Sequence, residues 1–199
     1  AAAIAERAAD KPWEDLVRER VFAPLAMDSA GFGWPATPEH PEGVLGHIVR
    51  EGAVFPLPVN HPYRLPPCLA PSGDIHCSAR DLGAFARANL AGVRGNHPLI
   101  SHKNWLMLHQ PEGEYAMGWV GARRGDGQIS WHNGSAGTFF ALMTIDPDRN
   151  AGVVVLTNAG NGQPACAEVS RRLLDIHAPR DAPPEVPPEV PPQAPPPAP

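Results

Sequence analysis

One short segment of this chain places residues with several chemical functions side by side. Residues 131–137 read W-H-N-G-S-A-G, which puts an imidazole at His132, an amide at Asn133, a glycine at Gly134 and a hydroxyl at Ser135. An imidazole can hold or release a proton near neutral pH. The alternative is structural, because Asn-Gly is the strongest two-residue signal for a hairpin turn. Taken alone, the segment favours the turn, so its surroundings must decide.

No nucleophile motif occurs in the sequence. No serine is followed three positions later by lysine, and Gly134-Ser135-Ala136-Gly137 lacks the preceding glycine of a G-x-S-x-G motif. The patterns C-G-S-C and H-E-x-x-H do not occur either. The sequence therefore offers candidate binding groups but no recognisable attacking group.

Histidine and cysteine spacing gives no reason to expect a metal. Nine histidines are scattered along the chain, and no two have the i, i+4 spacing of a helical zinc site. His102 and His109 can share a helix face, but no carboxylate stands near them in the sequence. The three cysteines are Cys68, Cys77 and Cys166, without a C-x-x-C pair. We expect small buried side chains, and a Cys68–Cys77 disulfide remains open.

The elements that would position the 131–137 segment can be predicted from periodicity. Residues 1–9, a stretch after Pro12, residues after the S-x-x-D cap at Ser78, and residues 165–176 read as helices. The first two are expected to lie against a core, Gly92 is expected to end the third, and Ala165, Val169, Leu173 and Ile176 are expected to face inward in the last. Alternating segments predict strands over residues 115–122, 128–132 and 138–145, and residues 152–158 read as a fourth extended run.

Short turns between these strands predict an antiparallel sheet flanked by helices, an α/β (α+β) fold. The uninterrupted apolar run at residues 153–156 is expected to be covered by helices on both faces. Residues 31–75 are rich in proline and glycine and read as a long irregular excursion. Such an excursion either walls a binding site or is structural only.

Five segments, in this order and spacing, resemble the serine β-lactamase, penicillin-binding-protein and esterase superfamily, in its class C β-lactamase-like branch. The resemblance spans nearly all of residues 1–176. The segments are residues 21–27 (V-F-A-P-L-A-M), 71–82 (P-S-G-D-I-H-C-S-A-R-D-L), 115–119 (Y-A-M-G-W), 132–134 (H-N-G) and 153–158 (V-V-V-L-T-N). Residues 132–134 resemble the family's third signature motif, in which lysine or histidine is followed by a small polar residue and glycine.

The resemblance assigns roles to the four residues of the segment. His132 would orient a substrate carboxylate or complete a proton network around a tyrosine, and Asn133 would hydrogen-bond the substrate or neighbours of the strand. Gly134 would admit the substrate's backbone, and the backbone N–H of Ser135 would be one of two oxyanion donors. The substrate would be a small molecule or a peptide. This chemistry needs no cofactor, and the family's usual location is periplasmic or secreted.

Two family motifs, S-x-x-K and Y-x-N, do not occur in this sequence. They normally precede the region that begins here, so we expect the C-terminal portion of such a hydrolase, which would not catalyse alone. Whether this chain belongs to an enzyme stays open at this stage. The alternative is a non-catalytic remnant or pseudoenzyme that binds a peptide or acyl ligand.

Composition predicts one globular domain over residues 1–178 and a proline-rich tail over residues 179–199. The tail holds eleven of the 26 prolines, and its P-P-E-V repeat favours an extended spacer over a ligand for an aromatic groove. A further hypothesis makes the tail the functional element, with the domain as its anchor. A net charge of −5 without a basic stripe argues against a nucleic-acid partner, and no apolar run is long enough to span a membrane.

Overall fold

The computed structural model describes residues 1–179, so all of the predicted tail except Pro179 lies outside the described residues. The boundary at residue 178 accordingly stays a prediction. The helices are α1 (Ala2–Ala9), α2 (Trp13–Val17, continued by a π-helical turn at Arg18–Phe22), α3 (Ala70–Gly73), α4 (Ala79–Val93), α5 (His102–His109) and α6 (Gln163–His177). The strands are β1 (Gly31–Phe32), β2 (His47–Arg50), β3 (Ala53–Pro56), β4 (Ile75–His76), β5 (Val120–Arg124), β6 (Gly127–Ser135), β7 (Phe140–Asp146) and β8 (Ala151–Thr157).

The four strands β5 to β8 form an antiparallel meander in chain order, which confirms the predicted sheet. Short turns connect them, and Gly125 in the β5–β6 turn has φ of 59°. The first strand is shorter than predicted. Residues 115–119 form a tight turn with Gly118 at φ 89°, because a left-handed residue there bends the chain before β5 begins.

The two faces of the sheet carry separate apolar cores, as strand alternation requires. One core lies under α4 and includes Leu90, Trp119, Met143 and Ile145. The other lies under α6 and includes Ile129, Trp131, Phe140, Leu142 and Cys166. Helices therefore cover both faces of the sheet, and β6 lies between the two cores.

The N-terminal cap of α4 is confirmed. The Ser78 hydroxyl accepts a hydrogen bond from the Asp81 N–H at 3.2 Å, and the Asp81 carboxylate in turn accepts bonds from the backbone and hydroxyl of Ser29. The predicted end at Gly92 is wrong, since the helix continues to Val93. Gly92 is buried against Trp105 of α5, so its missing side chain allows close helix packing.

The predicted inward face of α6 is also wrong. Cys166, Ser170 and Leu174 are the buried residues of this helix, whereas Val169 and Ile176 are 43% and 70% exposed. The Ser170 hydroxyl lies 3.5 Å from the Thr144 hydroxyl of β7, so a polar contact marks the buried side. The apolar residues that the sequence placed inward lie instead on a neighbouring face of α6 that is nearer the solvent.

The expectation that α1 packs against a core is contradicted as well. None of its residues is buried, and Ile4 is 75% exposed. Its contact with the next helix is polar, because the Glu6 carboxylate accepts a hydrogen bond from the Trp13 N–H at 3.0 Å. Trp13 and Phe22 do lie in the interior, so the expectation holds for the second helix.

A buried arginine ties the end of the sheet to α6. Arg124 is 3% exposed and lies 3.5 Å from the Asp146 carboxylate and 2.9 Å from that of Asp175. It also donates to the Ala178 carbonyl at 2.7 Å. Buried charges persist when they are paired and hydrogen-bonded, and this arginine joins β5, β7 and α6 in that way.

The edge of β8 is open in the described part of the chain. β8 pairs with β7 along its whole length, and no described strand pairs with its other side. Val154 packs toward the α4 core and Val155 toward the α6 core, so helices do lie on both faces. The run is nevertheless only half-buried, and Leu156 is 36% exposed, because the strand is at the sheet edge.

The three cysteines are free, so the Cys68–Cys77 disulfide that the sequence left open is not formed. Cys166 is buried in the α6 core, as expected for a small apolar side chain, while Cys68 is exposed. Among the described residues, no helix is long and apolar enough to cross a membrane.

Candidate active site

The last four residues of β6 have a strand neighbour on only one side. β5 begins opposite Trp131, through the Val120–Trp131 pair. Its remaining residues pair with positions 127–130 of β6, which lie farther from the site. On the other side, β7 pairs with β6 from Ser130 to Ser135. Within the described residues, positions 132–135 therefore present a free backbone edge beside the turn at Tyr115. A free edge of this kind can accept hydrogen bonds from, and donate them to, an added extended segment.

Gly134 leaves this edge sterically open. A Cβ added at Gly134 would meet no atom within 4 Å, and the residue is exposed. Packing within the described residues therefore gives no reason for a glycine here, in contrast to Gly92. The free space lies on the face that Gly134 shares with His132, because side chains two positions apart in a strand point the same way.

His132 lies at the protein surface beside Tyr115, with its ring partly shielded from solvent. The Tyr115 hydroxyl is 3.3 Å from His132 Nε2, and the two rings meet edge to face with centroids 6.1 Å apart. Partial burial lowers the pKa of His132, while a hydrogen bond to the Asn133 backbone works against that shift. Since the pKa falls below its usual value near 6.5, the imidazole is predominantly uncharged at neutral pH.

Asn133 lies on the opposite face of β6. It pairs with Leu142 of β7 and shares its face with Trp131, both of which belong to the α6 core. The side chain is half-buried. The two neighbours in the motif, His132 and Asn133, consequently face different sides of the sheet.

The Ser135 hydroxyl is engaged by backbone groups. It donates to the Phe139 carbonyl at 2.7 Å and accepts from the Gly137 N–H at 3.0 Å, which closes the turn between β6 and β7. Gly137 has φ of 86° in this turn. The hydroxyl therefore shapes the turn, in agreement with the missing G-x-S-x-G pattern, and only the backbone N–H of Ser135 is left as a candidate site group.

Part of the long segment between α2 and α4 packs against the end of β6. The Tyr63 hydroxyl donates to the Ala136 carbonyl at 2.8 Å. Trp34 lies beside Tyr63 with ring centroids 6.1 Å apart, and the Arg64 guanidinium lies 4.5 Å from the Trp34 ring centroid. This aromatic group lies at the end of β6, next to the candidate site, and whether residues 31–75 line a binding site stays a prediction.

Sequence reasoning missed both tyrosine contacts. Tyr115 was read as part of a strand and Tyr63 as part of an irregular excursion, yet their hydroxyls reach His132 and Ala136. They are the two tyrosines of the chain. Both contacts join residues distant in sequence, so no local pattern carries them.

Two shallow cavities lie elsewhere. One of about 360 Å³ is lined by Gly83, Leu90 and Val154, between α4 and β8. The other, of about 480 Å³, is lined by Val153, Leu173 and His177, between α6 and β8. They flank the open edge of β8, and neither includes His132. We favour the β6 edge as the site because its free backbone lies beside His132 and Gly134 leaves the approach to it clear. The described residues hold no cluster of three or more metal-ligating side chains.

Solved structures with a similar architecture include penicillin-binding-protein homologues and amidases. The octameric penicillin-binding protein homologue from Pyrococcus abyssi matches with a TM-score of 0.70 and 20% identity, over 88% of this chain and 40% of that one. The D-amino acid amidase from Ochrobactrum anthropi SV3, complexed with L-phenylalanine, matches with a TM-score of 0.64 and 21% identity, over 88% of this chain and 56% of that one.

A penicillin-binding protein from Bacillus halodurans gives a TM-score of 0.67 at 18% identity, over 86% of this chain and 53% of that one. The chain thus spans about half the length of these structures. No curated protein matches the sequence at a significant level. At these identities the likeness establishes the fold. The sequence model of the family described as Beta-lactamase matches residues 1–177, so this chain belongs to the β-lactamase family.

Proposed function

We propose that this chain carries the substrate-side strand of an acyl-transfer site in a serine hydrolase acting on an ester, an amide or a β-lactam. The observation that carries the proposal is the free edge of β6 at residues 132–135, which is sterically open at Gly134. An extended substrate can hydrogen-bond to such an edge as an added strand. Family membership supports the same reaction class.

The attacking serine in this proposal lies outside these 199 residues, since no S-x-x-K motif occurs among them. Its Oγ forms a bond to the substrate's carbonyl carbon, the C–O or C–N bond breaks, and the proton lost by the serine hydroxyl passes to the alcohol or amine; in a β-lactam the amine stays attached through the opened ring. Water then attacks the acyl group and regenerates the serine. We assign the Ser135 N–H as one donor to the oxyanion, a role worth about 3 kcal/mol in the transition state.

His132 acts in this scheme as a hydrogen-bonding group rather than as a fixed cation. Partial burial holds the pKa of His132 below its usual value, and the Tyr115 hydroxyl already contacts Nε2. A lysine in its place would carry a permanent charge toward a substrate carboxylate.

The second candidate is a binding protein that holds a peptide or acyl ligand without reacting with it. It is favoured by the engagement of the Ser135 hydroxyl with backbone groups, which leaves the site segment without a nucleophile of its own. Both candidates use the same free edge, so they differ in covalent chemistry and not in where the ligand lies.

The test uses the product of the complete reading frame, with Gly134→Ala compared with Gly152→Ala. Both glycines lie in strands with room for a methyl group, but Gly152 lies in β8, away from the β6 edge. We expect Gly134→Ala to lower kcat/KM for a p-nitrophenyl ester by about tenfold or more, because the methyl group obstructs the substrate's backbone; tenfold corresponds to about 1.4 kcal/mol.

Labelling of the same proteins with a fluorophosphonate probe separates the two candidates. Covalent labelling of a serine, together with the selective effect of Gly134→Ala, supports the hydrolase. Ligand binding without labelling or turnover favours the binding protein instead. Equal activity of the two alanine variants contradicts the placement of the substrate on β6.

A further inference from the structure

We propose that Tyr115 is a positioning residue whose hydroxyl fixes the orientation of the His132 ring at the free edge of β6. The contact itself is independent of the reaction. Only its consequence for a substrate rests on the proposed function. Tyr115 lies in the turn before β5, 17 residues from His132 in the chain. The two residues belong to no common sequence motif.

The geometry supports a directed contact. The Tyr115 hydroxyl lies 3.3 Å from His132 Nε2, and the rings are inclined by 65° with centroids 6.1 Å apart. An edge-to-face arrangement at this separation is a favourable one for two aromatic rings. The hydroxyl therefore meets one ring nitrogen while the phenol ring limits rotation of the imidazole about its side-chain bonds.

The backbone that carries Tyr115 is itself fixed. The Tyr115 carbonyl accepts from the Glu112 N–H at 3.2 Å, and the Ala116 N–H donates to the Trp119 carbonyl at 2.7 Å. Trp119, at the end of this turn, is 5% exposed and packs in the α4 core. These backbone contacts hold the Tyr115 hydroxyl in place, although the Tyr115 side chain is 51% exposed.

The contact is available in both protonation states of His132. A hydroxyl can donate to the uncharged Nε2 and accept from the N–H of the imidazolium. The bond to the charged ring is the stronger of the two. The charged groups near Tyr115 in sequence are Glu112 and Glu114, and no charged side chain contributes to the shift in the pKa of His132. Removal of the hydroxyl therefore destabilises the imidazolium more than the neutral ring.

The experiment is an NMR titration of histidine ring resonances in the full-length protein, for the natural sequence, Tyr115→Phe and Tyr63→Phe. A His132→Gln variant assigns the His132 signal by its disappearance. Tyr63→Phe is the matched control, because it removes the other tyrosine hydroxyl, which bonds to Ala136 and not to His132. The readout does not require catalysis, so it stays informative if the hydrolase proposal fails.

We expect Tyr115→Phe to lower the pKa of His132 by about half a unit, the size of a modest net hydrogen bond. We also expect weaker nuclear Overhauser contacts between the residue 115 ring and the His132 ring. Tyr63→Phe should leave the His132 pKa unchanged. An unchanged pKa with unchanged ring contacts in Tyr115→Phe overturns the proposal. An equal shift in both variants overturns it too, since the effect would then be a general one.

Discussion

The protonation of His109 affects the free energy of unfolding rather than catalysis. Its Nε2 lies 3.1 Å from the Asn89 side-chain oxygen, and its ring lies 4.4 Å from that of Trp119. Burial lowers the pKa of His109 to about 4. Nδ1 is buried and meets no acceptor among the described residues, so protonation there would bury an unsatisfied donor.

The pH dependence of stability follows from this lowered pKa. The unfolded chain takes up a proton near pH 6.5, whereas folded His109 stays neutral until about pH 4. The unfolded state therefore binds more protons between those values, and stability is lost as the pH falls through this window. We expect His109 to account for about 2 kcal/mol of that loss, after allowance for its partial exposure.

Urea unfolding at pH 7, 6 and 5 measures the effect, with His109→Gln compared with His177→Gln. The first variant should show a shallower fall in the free energy of unfolding than the natural protein, because the titrating group is gone. His177 is exposed at the end of α6, so its variant should retain the natural slope. Identical slopes in all three proteins would show that His109 does not carry the dependence.

At the scale of elements, the packing of α4 on α5 depends on Gly92. A Cβ at Gly92 would collide with the Trp105 ring, which is 3% exposed and cannot move into solvent. We expect Gly92→Ala to lower the free energy of unfolding by about 1–3 kcal/mol through overpacking. A gain of up to about 1 kcal/mol in helix propensity offsets part of this loss, and we expect the net change to be destabilising.

Gly83→Ala in the same helix is the matched control. The nearest atom to a Cβ there is the flexible end of Arg87 at 3.5 Å, an ordinary contact. We expect this variant to be more stable by about 0.5–1 kcal/mol. Thermal or urea unfolding of both variants should thus give changes of opposite sign, and a stabilised Gly92→Ala would refute the packing argument.

Local patterns predicted the elements but not all of their orientations. The strands were recognised from alternation or, for β8, from an apolar run between turns, and the S-x-x-D cap at Ser78 needs only four residues to be recognised. The inward face of α6 was misjudged because Ser170 pairs with a threonine of β7, and a polar residue on the buried side breaks the apolar stripe. That pairing depends on the tertiary fold, so no helical pattern contains it.

The candidate site was predicted to a similar extent. The motif at residues 132–134 was located from sequence, and the free edge beside it follows from where β5 begins. Strand alternation already implies that the side chains of His132 and Asn133 point to opposite faces of the sheet. Tyr115 and Tyr63 could not be placed, because their contacts depend on how a turn and a long loop fold back onto β6.

At the scale of the whole molecule, Arg124 connects the far end of the sheet with the last helix. Replacing it with methionine keeps most of the side-chain volume but removes the guanidinium from Asp146 and Asp175 and from the Ala178 carbonyl. Breaking a buried ion pair from one side typically costs about 3–5 kcal/mol. We expect Arg124→Met to lose about 3 kcal/mol of unfolding free energy.

Arg123→Met is the control, since Arg123 is the exposed neighbour on the same strand. Its replacement should change stability by less than about 0.5 kcal/mol. Hydrogen exchange locates the effect: amides at the end of α6 should exchange faster in Arg124→Met than in Arg123→Met. Equal protection in the two variants would mean that α6 is held by its apolar contacts alone.

The side of β8 that no described strand pairs with also has a consequence for these 199 residues in solution. The strand reads A-G-V-V-V-L-T over residues 151–157, with strong strand propensity and without a charged residue to discourage pairing. Wherever that side is uncovered, the strand is a template on which other chains can add, and short uncharged segments of this type lead toward fibrillar aggregates. A lysine placed at residue 156, whose side chain is already partly in solvent, would act as a gatekeeper against such growth.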